Sequence, residues 1–166
     1  MKLTNEQLKA LYHGVLWYEE TEDGYLRAYQ YTKEQTEYFE KAFDFWYERC
    51  NASNAKTLEF TTTATSCAFE YQLIWTGSQD SVELWIDNLA TDIRYVKDIE
   101  KEGTFTFEFP EGQKHVTIYL PADGTMVIRN FEINGEFEPV VKKEKVLWMG
   151  DSITQGYGPL LCIFYS

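Results

Sequence analysis

The stretches Thr-Phe-Thr-Phe-Glu-Phe at residues 104–109 and His-Val-Thr-Ile-Tyr-Leu at residues 115–120 decide the fold of this chain. In both of them, large apolar side chains alternate with polar ones. Successive side chains of a β-strand point to opposite faces of a sheet, so this period of two predicts strands that bury one face. The residues between the two stretches, Pro-Glu-Gly at 110–112, are typical of a turn.

The same pattern extends over the region from residue 57 to residue 134, where short runs rich in β-branched and aromatic residues are separated by turn-forming residues. The runs are Thr57–Thr63, Cys67–Trp75, Ser81–Asp87, Ile93–Lys97, Thr104–Phe109, His115–Leu120 and Met126–Ile133. Strands at this spacing, with no helical pattern between them, predict a mainly β fold, an antiparallel β-sandwich of jelly-roll type.

Two helices are predicted ahead of these strands. Thr-x-x-Gln sequences, which have the spacing of a capping box, begin at Thr4 and Thr32. We therefore expect helices near residues 4–12 and over residues 33–50. Between them, the Asp-Gly pair at residue 23 favours the turn of a hairpin.

The second predicted helix carries large side chains at three- and four-residue steps. These are Phe39, Phe43, Trp46 and Cys50. A helix is stabilised mainly by burying such a stripe, so we expect it to lie in the core and not to bind a ligand.

Composition restricts the classes of function. The chain has 166 residues, 44% hydrophobic and 17% aromatic, enough for one well-packed domain, or one domain and a fragment. Its net charge of −12 repels phosphate backbones and anionic lipid, so we predict neither a nucleic-acid nor a membrane partner. Three cysteines without a Cys-x-x-Cys pair predict free thiols. We predict no metal and no cofactor, and we predict a cytoplasmic location because there is no signal-peptide pattern.

Residues 145–156, Lys-Val-Leu-Trp-Met-Gly-Asp-Ser-Ile-Thr-Gln-Gly, carry the clearest chemical signal. A serine on the turn after a buried strand holds its hydroxyl at the rim of a sheet, where a substrate can reach it. Ser152 would need a base, and the histidines of the chain are His13 and His115. Both lie where a structural histidine is the commoner explanation. Taken alone, Gly-Asp-Ser is equally typical of a strand-ending turn with a serine cap.

The longer string from Leu147 to Gly156 resembles the first block of the SGNH, or GDSL-type, esterases and lipases. The resemblance implies that residues 145–166 begin a flavodoxin-like α/β domain. It assigns the nucleophile, and one backbone oxyanion donor, to Ser152. It assigns the surrounding turn to Gly150, Asp151 and Thr154.

The other catalytic blocks of that family have no counterpart in the chain. They contain a glycine and an asparagine that complete the oxyanion hole, and an Asp-x-x-His sequence that supplies the base. The resemblance therefore implies a truncated hydrolase domain and a chain that is inactive on its own. The apolar residues after Pro159 would then pack on their own sandwich, pair with another chain in a homo-oligomer, or remain disordered.

Residues 10–135 resemble, more loosely, the β-sandwich that some bacterial SGNH esterases and acyltransferases carry before the catalytic domain. The matching stretches begin at His13, Tyr25 and Phe69. The resemblance implies three parts: a carbohydrate-binding-module-like sandwich over residues 1–136, a linker over 137–144, and the start of the hydrolase domain over 145–166.

These observations predict the N-terminal accessory domain of an SGNH-type serine esterase. Its substrates in the full-length enzyme would be acyl or acetyl esters of carbohydrate-like compounds. One alternative is a non-catalytic sandwich that binds carbohydrate or protein, and another is a sandwich that only shapes the active site of the following domain. For sugar binding, the candidate stacking residues are Trp17 and Trp85, although core packing explains either ring at least as well.

Overall fold

The structure of this protein is a computed structural model that describes residues 1–77 and 80–143. In these ranges the helices are α1 (Asn5–Leu11), α2 (Lys33–Ala42) and α3 (Asp44–Asn51), with a 3-10 turn at Val96–Asp98. The strands are β1 (Tyr12–His13), β2 (Trp17–Glu20), β3 (Leu26–Tyr29), β4 (Thr57–Thr62), β5 (Ser66–Thr76), β6 (Ser81–Ile86), β7 (Leu89–Tyr95), β8 (Glu102–Glu108), β9 (Lys114–Tyr119), β10 (Gly124–Ile133) and β11 (Phe137–Pro139). The predicted hydrolase start, with Ser152, Gly150, Asp151 and Thr154, lies outside the described residues.

The strands form two antiparallel sheets. The first sheet has the order β2-β3-β10-β5-β8, and the second has the order β1-β4-β9-β6-β7, with β11 also paired to β4. Each of the predicted runs overlaps one observed strand. The predicted fold class, a mainly β antiparallel sandwich, is therefore confirmed. The pairing continues into the predicted linker, because β11 occupies residues 137–139.

The core lies between the two sheets and consists of the apolar members of the alternating runs. Phe105 and Phe107 on β8 are buried, as are Val116 and Ile118 on β9. The ring of Phe69 is central, with neighbouring rings stacked or edge-on around it. Burial of each large side chain of this kind contributes about 1.5–3 kcal/mol relative to an exposed one, so the alternation is sufficient to hold the sheets together.

The helices begin where the sequence predicts and differ in where they end. Thr4 and Thr32 each form a complete capping box. The expected helix over residues 33–50 is divided, however, because Phe43 has an extended backbone with φ −172° and ψ 125°. The extended residue divides the segment into two separate helices, so the aromatic stripe does not continue along one helix face.

The prediction that this stripe lies in the core is consequently wrong for two of its members. Cys50 is buried, but Phe43 is 58% exposed and Trp46 is 56% exposed. No helix among the described residues has both the length and the apolar character required to cross a bilayer.

Candidate functional site

Both histidines of the chain lie beside one glutamate on the outer face of the second sheet. Alternate residues of β4 share a face, so the side chains of Thr57, Glu59 and Thr61 point away from the core. The pairing of β1 with β4 sets His13 opposite Thr57. The pairing of β4 with β9 sets His115 opposite Thr61. Strand register therefore brings together two histidines that are far apart in sequence.

Glu59 is the centre of this group, and its side chain is almost fully buried. Its Oε1 accepts hydrogen bonds from the hydroxyl of Thr57 at 2.7 Å and from Nζ of Lys142 at 2.6 Å. Its Oε2 lies 3.7 Å from Nε2 of His115. The carboxylate thus connects β4 to the segment that leaves the sandwich after β11.

The electrostatics of the group follow from burial and from these contacts. Burial opposes ionisation of Glu59, but the hydrogen bonds from Lys142 and Thr57 outweigh it, and the pKa of Glu59 lies below its ordinary value. Burial lowers the pKa of His13, while the nearby Glu59 and a hydrogen bond to the backbone of Val140 act in the opposite direction. At neutral pH the group is a paired carboxylate beside a neutral His13.

An imidazole beside a carboxylate is the pair that activates a serine hydroxyl, so the chemistry of this group matters for the prediction about Ser152. In the described part of the chain, Nε2 of His13 and Nε2 of His115 are both buried without a hydrogen-bond partner. Sequence reasoning considered each histidine separately and missed their common glutamate. Over residues 1–77 and 80–143, no three His, Cys, Asp or Glu side chains are arranged to hold a metal ion.

A second candidate site is an aromatic groove formed by α2 and α3. It encloses about 400 Å³. It is lined by Tyr38, Phe39, Ala42, Phe43 and Trp46. Three of these rings are more than half exposed, with Tyr38 at 68%. Because exposed rings share one concavity here, the groove is a candidate binding surface.

The last turn of α3 contacts the sandwich through an arginine. The guanidinium of Arg49 lies over the rings of Trp75, 4.2 Å away, and Phe45, 5.0 Å away. It also forms an ion pair with Asp123, whose pKa is raised by burial although Arg49 acts against the shift. These contacts orient α3, and with it the ring of Trp46.

Asp80 holds the neighbouring turn in place. Its carboxyl accepts backbone N–H groups of Ala122 at 2.7 Å, Asp123 at 2.9 Å and Ser81 at 3.0 Å. Burial raises the pKa of Asp80 to about 7 despite these three donors. The side chain is therefore a titratable group whose charge changes near neutral pH.

The two tryptophans singled out as stacking residues have most of their ring area covered. Trp17 stacks on Tyr29 with centroids 3.8 Å apart, and the ammonium of Lys33 lies 5.1 Å from the centroid of the same ring. Trp85 is 7% exposed and donates its indole N–H to Glu83 at 2.9 Å. The burial of Trp85 weighs against its role as a stacking platform.

Comparison with known proteins supports the fold. No family model matches the chain, and no curated protein matches it. A solved structure of the salicylyl-acyltransferase SsfX3 from a tetracycline biosynthetic pathway is similar over 80% of this chain and 39% of its own, with 13% identity and a TM-score of 0.66. A family two carbohydrate esterase from Cellvibrio japonicus is similar over 89% of this chain and 38% of its own, with 18% identity and a TM-score of 0.53.

These likenesses establish a shared fold between this sandwich and part of an acyltransferase and of a carbohydrate esterase. The chain spans less than two fifths of the length of either solved protein.

Proposed function

We propose that this chain supplies the N-terminal sandwich and the nucleophile block of an SGNH-type serine esterase or acyltransferase that acts on acyl or acetyl esters of carbohydrate-like compounds. The strongest support for this proposal is the order of two regions along the chain. The block from Leu147 to Gly156 follows directly after a sandwich whose fold is shared with SsfX3 and with the Cellvibrio japonicus esterase.

In the proposed reaction, Oγ of Ser152 attacks the ester carbonyl and the alcohol leaves with a proton. Water or an acceptor alcohol then attacks the acyl-enzyme and releases the serine. The developing oxyanion accepts a hydrogen bond from the backbone N–H of Ser152. We assign the base to a later block of the full-length enzyme, because His13 and His115 lie beside the buried carboxylate of Glu59 on the sandwich.

The test compares ester hydrolysis by two forms of the protein, each with a Ser152→Ala control. We expect the 166-residue chain to hydrolyse p-nitrophenyl acetate no faster than its Ser152→Ala variant. We expect the protein extended by the downstream coding sequence to show serine-dependent turnover. Serine-dependent turnover by the 166-residue chain, lost in His115→Gln or His13→Gln, would mean instead that the Glu59 group supplies the base.

A second candidate function, binding of neutral carbohydrate, is favoured by the aromatic groove. Exposed ring faces suit the apolar faces of sugars, and the strongly acidic chain disfavours anionic ligands. Calorimetric titration with neutral oligosaccharides should show binding that Trp46→Ala abolishes and Trp85→Phe leaves unchanged. Binding lost only in Trp17→Ala would move the site to the first sheet, and no binding at all would reject this function.

A further inference from the structure

The exposed aromatic rings of this protein differ in whether a cation of the chain lies over them. Over residues 1–77 and 80–143, the aromatic side chains that are at least 40% exposed are Tyr38, Phe43, Phe45, Trp46 and Tyr95. The guanidinium of Arg49 lies 5.0 Å from the ring centroid of Phe45. Nζ of Lys97 lies 5.3 Å from the ring centroid of Tyr95. In this part of the chain, no cation lies over the other three rings.

The three rings without a cation all line the aromatic groove. The volume of the groove, about 400 Å³, is within the usual range for pockets that bind small molecules. The rings of Tyr38 and Phe39 meet at 64° with centroids 6.0 Å apart, so neighbouring ring faces are not parallel. The face of an aromatic ring attracts a cation, and several rings around one space are a common binding site for an organic ammonium group.

The charge of the two helices adds to this attraction. Residues 33–48 carry five acidic side chains, all of them exposed, and two lysines. Glu34 lies one helical turn before Tyr38, and Asp44 directly follows Phe43. Lys41 lies one turn after Tyr38, so the acidic groups outnumber the basic one near the groove. The local excess of negative charge agrees with the net charge of −12 of the whole chain and favours a cationic ligand.

The groove and the end of the described chain are on different sheets. α3 packs on the first sheet, where the hydroxyl of Thr125 donates to the carbonyl of Asn51 at 3.0 Å. Near its described end, the chain contacts the second sheet through Lys142 and Glu59. This arrangement favours a separate ligand over the chain's own continuation. A second copy is disfavoured, because both copies would carry the same large negative charge.

We propose that the aromatic groove binds a sugar that carries a protonated amine. The ammonium group lies among the rings of Tyr38, Phe43 and Trp46, where the ring faces and the surrounding carboxylates attract it. The inference rests on the second candidate function, carbohydrate binding, and extends it from neutral sugars to amino sugars, which bind more tightly. It does not depend on whether Ser152 is a nucleophile.

Calorimetric titration of the full 166-residue chain with two tetrasaccharides tests this. One is a glucosamine tetrasaccharide with free amines, and the other is its N-acetylated form, in which the nitrogens are uncharged. At about pH 6, where most of the free amines are protonated, we expect the first to bind about tenfold more tightly.

Variants locate the binding site. Trp46→Ala and Tyr38→Ala each replace an exposed ring of the groove, and each should remove most of the preference for the amine. The matched control is Tyr95→Ala, which removes an exposed ring on β7 and should leave both affinities unchanged.

The possible results separate this proposal from the function on which it rests. Equal binding of the two tetrasaccharides, lost in Trp46→Ala, would overturn the proposal and leave the second candidate function intact. No binding of either would reject both. A preference for the amine that persists in Trp46→Ala and in Tyr38→Ala would also overturn the proposal, because it would reflect general attraction by an acidic surface. Self-association that Trp46→Ala abolishes would assign the groove to a second copy instead.

Discussion

Lys142 and Glu59 form the ion pair that joins the chain leaving the sandwich to the outer face of the second sheet, with 2.6 Å between Nζ and Oε1. The carboxylate is almost fully buried, whereas the ammonium is about half exposed. Removing Lys142 would leave the buried carboxylate of Glu59 without this charged partner. Removing one partner of such a pair is expected to cost more than removing one partner of a pair at the surface, because the other charge stays buried.

We expect Lys142→Ala to lower the free energy of unfolding by about 1–2 kcal/mol, because Glu59 loses its charged partner. The neighbouring Lys143 is exposed, and Lys143→Ala should change the free energy by less than about 0.5 kcal/mol. Urea denaturation at pH 7 measures both. Equal effects of the two substitutions would mean that the contact between Lys142 and Glu59 does not contribute to the free energy of unfolding.

The burial of His13 predicts a loss of stability in mild acid. Burial lowers the pKa of His13 below its ordinary value of 6.5, so the unfolded chain binds a proton at a higher pH than the folded chain. Stability therefore falls as pH falls from 6.5 toward the lowered pKa. Between pH 7.5 and pH 5.5, the urea midpoint of the unsubstituted protein should fall more than that of His13→Gln. A parallel fall in both proteins would show that His13 is not the group responsible.

Asp80 predicts a pH dependence of opposite sign. Its pKa is raised from 3.8 to about 7, so the folded chain binds the proton more tightly. The contribution of Asp80 to stability is then complete below pH 3.8 and is lost as pH rises to about 7. We expect the destabilisation caused by Asp80→Asn to be about 1–2 kcal/mol greater at pH 5 than at pH 7.5.

The measurement is urea denaturation of Asp80→Asn and of the unsubstituted protein at both pH values. A destabilisation that is greater at pH 7.5 would contradict the prediction. It would show that the N–H groups of Ser81, Ala122 and Asp123 stabilise the ionised carboxylate more than burial opposes it.

Gly14 and Gly24 have similar backbone conformations but different surroundings. Replacing each by alanine therefore distinguishes the cost of steric overlap from the cost of backbone strain. Gly14 has φ +74° and Gly24 has φ +78°, both in the left-handed region. A Cβ on Gly14 would overlap the carbonyl oxygen of Ala55, whereas a Cβ on Gly24 would meet nothing within 4 Å.

We expect Gly24→Ala to cost about 1–2 kcal/mol, which is the usual cost of a Cβ in that conformation. We expect Gly14→Ala to cost at least about 2 kcal/mol more, since backbone must also move. Thermal unfolding followed by circular dichroism measures the difference. Similar losses of stability would mean that the loop around Ala55 moves easily.

Local patterns predicted the elements of this fold because each pattern acts within a few residues. Alternation at residues 104–109 and 115–120 is sufficient to form strands that bury one face, and Thr32 with Gln35 is sufficient to begin a helix. Helical spacing alone did not predict the end of α2, because the extended backbone at Phe43 interrupts a stripe whose spacing is otherwise regular.

The candidate sites depended on contacts between distant parts of the chain. By itself, the sequence determined the antiparallel sandwich, the approximate positions of the strands between residues 57 and 134, and the starts of α1 and α2, since side-chain period and capping are local properties. Only the tertiary structure decided that His13 and His115 lie at Glu59 and that the ring of Trp46 is exposed while that of Trp85 is buried. The physical reason is that strand register and packing between elements determine which side chains meet and which face the solvent.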